Sequence, residues 1–189
     1  GFNRKDITRE EYIAAINEGR LPELLNRVEV KAGDTFFIPA GTIHALGKGV
    51  VVLEIQQTSD ITYRVYDWER VDEDGRPREL HTALAVDAID FASDKERCIM
   101  HYNAKKNSPT EMVRCDYFTT NIIELEGSAE RELESLDSFV LYICAEGEAD
   151  VCMGDNKEHL EAFDLVMIPA EADSIKLSGN AKLLEVYIE

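Results

Sequence analysis

Polar and apolar positions change period along the chain. Tyr12, Ile13 and Ile16 recur at helical spacing behind Thr8-Arg9-Glu10-Glu11. There the Thr8 hydroxyl can cap the Glu11 amide while the Glu11 carboxylate reaches back, which predicts a helix start. Gly19 predicts its end, and Pro22, suited to a first helical position, starts a second short helix. From Val28 the period shortens to two. Thr35–Ile38 and Val50–Ile55 flank the turn residues Pro39, Ala40 and Gly41, predicting paired strands. Ile61, Tyr63 and Val65 alternate with Thr62, Arg64 and Tyr66 in a further predicted strand. The acidic run Asp72–Pro77 reads as an exposed loop, and His81–Phe91 carries Leu84, Ala85, Ala88 and Ile89 at helical spacing. After a polar connector at 103–109, apolar runs recur at Tyr117–Ile123, Phe139–Cys144, Ala149–Met153, Leu165–Ile168 and Leu183–Ile188. Short strands at such spacing predict an all-β sandwich or barrel.

The pattern also repeats. Val30-Lys-Ala-Gly-Asp34 with Phe37-Ile-Pro-Ala40 lines up with Leu160-Glu-Ala-Phe-Asp164 and Met167-Ile-Pro-Ala170 at a fixed offset. Leu53-Glu54-Ile55 resembles Leu184-Glu185-Val186, one residue out of step. Two related strand–turn–strand units follow, hence two related barrels. In the second copy Gly33 becomes Phe163, Gly41 becomes Glu171 and His44 becomes Ser174. The packing pattern persists while the chemistry of the turn is lost.

Composition narrows the partners. Among 189 residues, 38 acidic against 20 basic side chains give a net charge of −18, which argues against nucleic acid and anionic membranes. A small anion stays admissible, because the field is screened over about 8 Å in physiological salt. No apolar run approaches the roughly 20 residues of a membrane-crossing helix. Cys98, Cys115, Cys144 and Cys152 show no C-x-x-C spacing and read as reduced thiols of an intracellular, cytoplasmic protein, with a disulfide pair as the lesser alternative.

The turn after Pro39 delivers His44 in a fixed direction, as an imidazole metal ligand requires, although an isolated histidine near a turn can equally be a hydrogen-bonded structural residue. His81, His101 and His159 show no H-x-H or H-x-x-x-H pairing and read as surface residues. Arg64 reads as an outward arginine paired with Asp60 or Asp67, or as a functional cation; Lys48, between Gly47 and Gly49, reads as a solvated loop lysine or a phosphate contact. Glu54 and Asp60 could act as bases, on proximity alone.

The spacing Gly33, five residues, Pro39-x-Gly41, two residues, His44 resembles the second motif of the cupin barrels, whose histidine binds metal. It departs from the motif at Lys48, where cupins often carry Asn. Pro39–Leu46 followed by Gln56–Trp68 resembles the type I mannose-6-phosphate isomerases in their short bacterial form. That resemblance implies an all-β, double-cupin architecture with a small helical insertion. Residues 1–90 would be the C-terminal part of a catalytic barrel, and 91–189 a second, degenerate one. It implies interconversion of mannose 6-phosphate and fructose 6-phosphate at one zinc ion. His44 would be a metal ligand, the other ligands would lie upstream of Gly1, Arg64 would be the active-site arginine and Lys48 a weaker substrate contact. On that expectation this chain alone is inactive. A metal-free sugar-binding or regulatory cupin, or another cupin metalloenzyme such as a dioxygenase with a His/His/carboxylate iron site, are the alternatives.

Overall fold

In the computed structural model every residue of 1–189 is described except Asp60, Glu69, Ser93, Asp94, Glu189 and the side chain of Lys95. The chain divides into two compact units, Gly1–Val52 with Thr58–Met100, and Leu53–Gln57 with His101–Glu189.

The first unit is organised by its helices. Helix α1 spans Arg9–Asn17, with the Thr8 side chain accepting from the Glu11 amide. The reciprocal half of that box is replaced: the Glu11 carboxylate pairs with Arg4 instead. At the other end Gly19 N–H reaches the Ile16 carbonyl (3.0 Å) and Arg20 N–H the Ala15 carbonyl (2.7 Å), the two bonds that close a helix at a left-handed residue. A 3₁₀ turn follows at Leu21–Leu24, with Pro22 in its first turn. Helix α2 occupies Thr82–Ala88, shorter than the apolar spacing over His81–Phe91 suggests. Phe2, Tyr12, Leu21, Ile43 and Val86 form the core of this unit, with Phe2 stacked on Phe91 at 5.5 Å.

The strands expected here differ from those observed. β1 is only Thr35–Phe36, and it pairs antiparallel with β2, Ile99–Met100. Val50–Ile55 forms no strand, and Val50, Val51 and Val52 are 40%, 79% and 45% exposed. Nor do residues 61–66 join a sheet; Ile61 is 69% exposed. An apolar run becomes a strand only where a neighbour completes its ladder, and neither run finds one among the described residues.

The second unit is one antiparallel sheet. β3 (Thr110–Arg114), β4 (Thr119–Glu132), β8 (Ser174–Tyr187), β5 (Val140–Met153) and β6 (Asn156–Glu161) lie side by side in that order, and β7 (Leu165–Ile168) pairs with β5. The two runs predicted at Phe139–Cys144 and Ala149–Met153 are a single strand. The register shifts between Cys144 and Glu146, and the inward positions change parity there: Val140, Tyr142 and Cys144 before it, Ala149 and Val151 after it. One extra residue bends the strand and re-aims its side chains. Gly147 sits at the bend with φ 81°, and a Cβ there would lie 2.2 Å from the Asn180 carbonyl. Ile123, Leu125, Leu177 and Leu183 join these residues on the inner face. On the other face Ile122, Ile143, Leu184 and Val186 are covered by Ile55, Tyr102, Met112 and Phe118.

The repeat is visible in turn geometry. Asp34 accepts from the Lys31 amide (3.0 Å) as Asp164 does from the Glu161 amide (2.9 Å). Thr42 N–H reaches the Pro39 carbonyl (3.2 Å) as Ala172 N–H reaches that of Pro169 (3.1 Å). Gly33 has φ 93°, and Phe163 keeps the same left-handed conformation at 79°, where a side chain costs about 1–2 kcal/mol.

Candidate active site

The Pro39–Gly41 turn is braced by helix α2. Gly41 adopts φ 82°, its carbonyl accepts from Asp90 N–H at 2.9 Å, and a Cβ on it would stand 2.7 Å from the Ala88 carbonyl. Gly41→Ala therefore meets both a left-handed backbone penalty of about 1–2 kcal/mol and a backbone clash. Gly49 has a similar φ of 81° with nothing within 4 Å. Thermal unfolding is expected to show a clearly larger loss for Gly41→Ala than for Gly49→Ala. Equal losses would show that the α2 contact contributes nothing.

Two residues beyond Thr42, the His44 ring returns to the turn: Nδ1 lies 2.9 Å from the Thr42 carbonyl. A carbonyl only accepts, so Nδ1 carries the proton and the Nε2 lone pair is left for another partner. His44 is exposed and borders a small, largely apolar cavity of about 40 Å³ that Val65, Tyr66 and Trp68 also line. The turn and the 65–68 segment are thus neighbours.

Arg64 lies at the start of that segment. Its Nη1 donates to the Glu79 carbonyl at 3.3 Å. Its backbone is held by His81, whose Nδ1 accepts from Arg64 N–H (3.1 Å) and whose own N–H donates to the Arg64 carbonyl (2.7 Å). The pairing of Arg64 with Asp67 that the sequence allows is not the one observed. Asp67 is 8% exposed and takes the fork of Arg78, with Nε to Oδ2 at 2.7 Å. The Arg78 hydrogen bond holds the Asp67 carboxyl below the usual carboxylate range. Asp60, the other partner considered, lies outside the described residues. Among the described residues the Arg64 guanidinium donates to the Glu79 carbonyl and, half-exposed, has donors to spare. Tyr66 packs edge-on against Trp68 at 5.2 Å, and Arg70 lies over the same indole at 5.5 Å.

The remaining candidates are less informative. Lys48 is exposed in the turn after His44, and Glu54 is exposed. His101 is exposed, and His159 is exposed beside Asp150, Nδ1 to Oδ1 2.9 Å. His81 departs from its reading as a surface residue: its side chain is 26% exposed and tied to Arg64. Nothing in its sequence context signals this, because the contact spans 17 residues of chain. In the second unit Ser174 opens β8 beside Glu130, Glu132 and Lys176. Among the described residues no three His, Cys, Asp or Glu side chains converge to hold a metal.

With that geometry in hand, known proteins place the chain. Residues 108–188 match the mannose-6-phosphate isomerase cupin domain. The chain is 38% identical, over 99% of its length, to mannose-6-phosphate isomerase ManA of Bacillus subtilis. It is 30% identical, over 97% of its length, to mannose-6-phosphate isomerase of Streptococcus mutans. A crystal structure of the Bacillus subtilis mannose 6-phosphate isomerase superposes on 96% of the chain with TM-score 0.84 and 34% identity. The chain is thus similar over nearly its whole length to mannose-6-phosphate isomerases of the cupin superfamily. Its fold is the all-β cupin expected from the sequence. The chain spans 59% and 57% of the two curated relatives and 57% of the crystallised isomerase. The cupin-domain match falls on the unit without His44, while the whole-chain relatives of this isomerase family extend across the His44 turn and Arg64. No helix among the described residues is long and apolar enough to cross a membrane.

Proposed function

We propose that the complete polypeptide carrying this sequence interconverts mannose 6-phosphate and fructose 6-phosphate in the cytoplasm, with His44 as one ligand of a catalytic zinc ion and Arg64 as the cation that meets charge developing on the sugar. The observation that carries the reading is the His44 ring. Its Nδ1–H is committed to the Thr42 carbonyl at 2.9 Å, the outer contact that fixes tautomer and direction in metal-ligating histidines.

The donor chemistry fits a metal, and one imidazole supplies one ligand where a catalytic zinc has about three from protein. The relatives' greater length leaves room for the others elsewhere in the complete polypeptide, so residues 1–189 alone are a partial site. The metal, when bound, supplies a Lewis acid that polarises the sugar's carbonyl and hydroxyl oxygens.

The chain's own residues do the rest. When a base takes the C2 proton, to return it to C1, an enediolate forms between the two transfers, its negative charge spread over O1 and O2. Arg64, with its backbone fixed and its guanidinium partly unsatisfied, offers a rigid fork of donors to that charge. Lys48 is the weaker contact, to the substrate phosphate. The barrel at 91–189 is structural and metal-free, since Ser174 stands where His44 stands in 1–90 and a neutral hydroxyl is a poor zinc ligand.

The test is turnover of mannose 6-phosphate by the complete enzyme before chelation, after it, and after one equivalent of zinc is returned. Activity is expected to vanish and recover. Turnover that survives removal of the metal, or no turnover at all, contradicts the proposal.

A further inference from the structure

Helix α2, Thr82–Ala88, touches the segments of both proposed site residues. Just past its C-terminal end, Asp90 N–H holds the Gly41 carbonyl at 2.9 Å, three residues before His44. Just before its first residue, His81 holds Arg64 at two points, N–H to carbonyl at 2.7 Å and Nδ1 to N–H at 3.1 Å. The helix itself is anchored: Ala85 and Val86 are buried, and Asp87 pairs with Arg9 of α1.

We propose that His81 is a positioning residue for Arg64, and that α2 is the rigid spacer fixing Arg64 relative to the metal-ligand turn. The proposal rests on the isomerase reading given above. Residues 61–67 join no strand, so no ladder fixes the Arg64 backbone. His81 supplies what a paired strand otherwise gives. The two residues exchange two hydrogen bonds, with an imidazole nitrogen standing where a partner carbonyl stands in an antiparallel pair. Nδ1 must be unprotonated to accept, which puts the ring proton on Nε2, 4.0 Å from the Glu79 carboxylate. The same short stretch takes the guanidinium at the Glu79 carbonyl. Backbone and head group of Arg64 are thus tied to residues 79–81, and these to α2.

A misplaced catalytic group costs on the order of 10²-fold per ångström. In the complete, zinc-loaded enzyme, His81→Ala is therefore expected to lower kcat by roughly 10–100-fold while KM and zinc content stay near wild type. His81→Asn, whose side-chain oxygen sits where Nδ1 sits, is expected to recover most of that loss. In an Arg64→Ala background His81→Ala should add less than about threefold, because residues acting as one unit are not additive.

A kcat for His81→Ala within about threefold of wild type, or losses that multiply in the double variant, would overturn the proposal. Where the Ala variant fails to fold, His81→Gln replaces it, its amide reaching past the Nδ1 position. Gln is then expected to lose activity and Asn to keep it, and equal activities overturn the proposal. If Arg64→Ala alone retains wild-type kcat, the isomerase role of Arg64 has failed, and His81 has nothing to position. That result is read from the single variant, independently of the His81 data.

Discussion

Replacing Arg131 with Ala is expected to lower the stability of the second unit by about 3–5 kcal/mol, the usual consequence of stranding one charge of a buried pair. The stranded charge is Glu185, whose side chain is fully buried on the inner face of β8. Its carboxylate accepts from Arg131 Nε (2.8 Å) and Nη2 (3.0 Å), from the Tyr142 hydroxyl (2.6 Å) and from Asn121 Nδ2 (2.9 Å). Burial pushes the carboxyl up, but the hydrogen bonds from Arg131 and Tyr142 outweigh it and hold the group below its ordinary value of 4.5. The unfolded chain then binds this proton more readily than the native one. The stabilisation is full above about pH 4.5 and is lost as pH falls through the lowered native value. Without Arg131 burial dominates and the sign reverses, so the variant should lose stability as pH rises from 4 to 7, where the wild type holds it. Arg131→Met with Glu185→Leu removes both charges but leaves the buried Tyr142 hydroxyl and Asn121 amide without their acceptor, so it should recover only part of the loss while abolishing its pH dependence between 4 and 7. Chemical denaturation at the two pH values reads all three results. A single Arg131→Ala loss below about 1 kcal/mol would show that water reaches Glu185.

Arg64→Ala in the complete enzyme is expected to lower kcat by on the order of 10²–10³, the typical loss of one oxyanion-stabilising donor. KM should move little, because in the proposed role the fork matters more to the enediolate than to the bound sugar. Lys keeps the charge but not the planar fork, so partial recovery is expected. Folding should be nearly unaffected, since the contacts that hold this segment are backbone bonds to His81 and the Arg78–Asp67 pair. Steady-state kinetics with thermal unfolding alongside separates the readings. A kcat within a few-fold of wild type returns Arg64 to an ordinary surface residue.

Features set by local chemistry were legible in the sequence. Thr8 and Gly19 bound α1 because capping is decided within one turn, and Leu165–Ile168 is β7 to the residue. The repeat was legible because Asp34 and Asp164 build the same turn, each carboxylate accepting from the amide three residues before it. What failed depends on distant partners. Val50–Ile55 has a strand's composition and no strand beside it among the described residues, while Thr35–Phe36 pairs with Ile99–Met100 instead. β6 was missed because only Leu160 of Asn156–Glu161 faces inward, leaving no apolar alternation to read. In the site, the spacing from Gly33 to His44 pointed to the turn, and Tyr63-Arg64-Val65 to the arginine. The bonds that orient them, from Thr42, Glu79 and His81, come from three-dimensional placement and leave no mark in the pattern. Asp67 was read as a partner of Arg64 from proximity, yet Arg78 has the matching fork eleven residues on.

The most direct test of the proposed role of the His44 turn is zinc content, measured by elemental analysis, of the complete enzyme and of its His44→Ala variant, with His159→Ala as the control. One zinc per chain is expected in the wild type and in the control, and a large loss in His44→Ala, in step with the loss of mannose 6-phosphate turnover. Full zinc in a folded His44→Ala variant would contradict the assignment of His44 as a ligand.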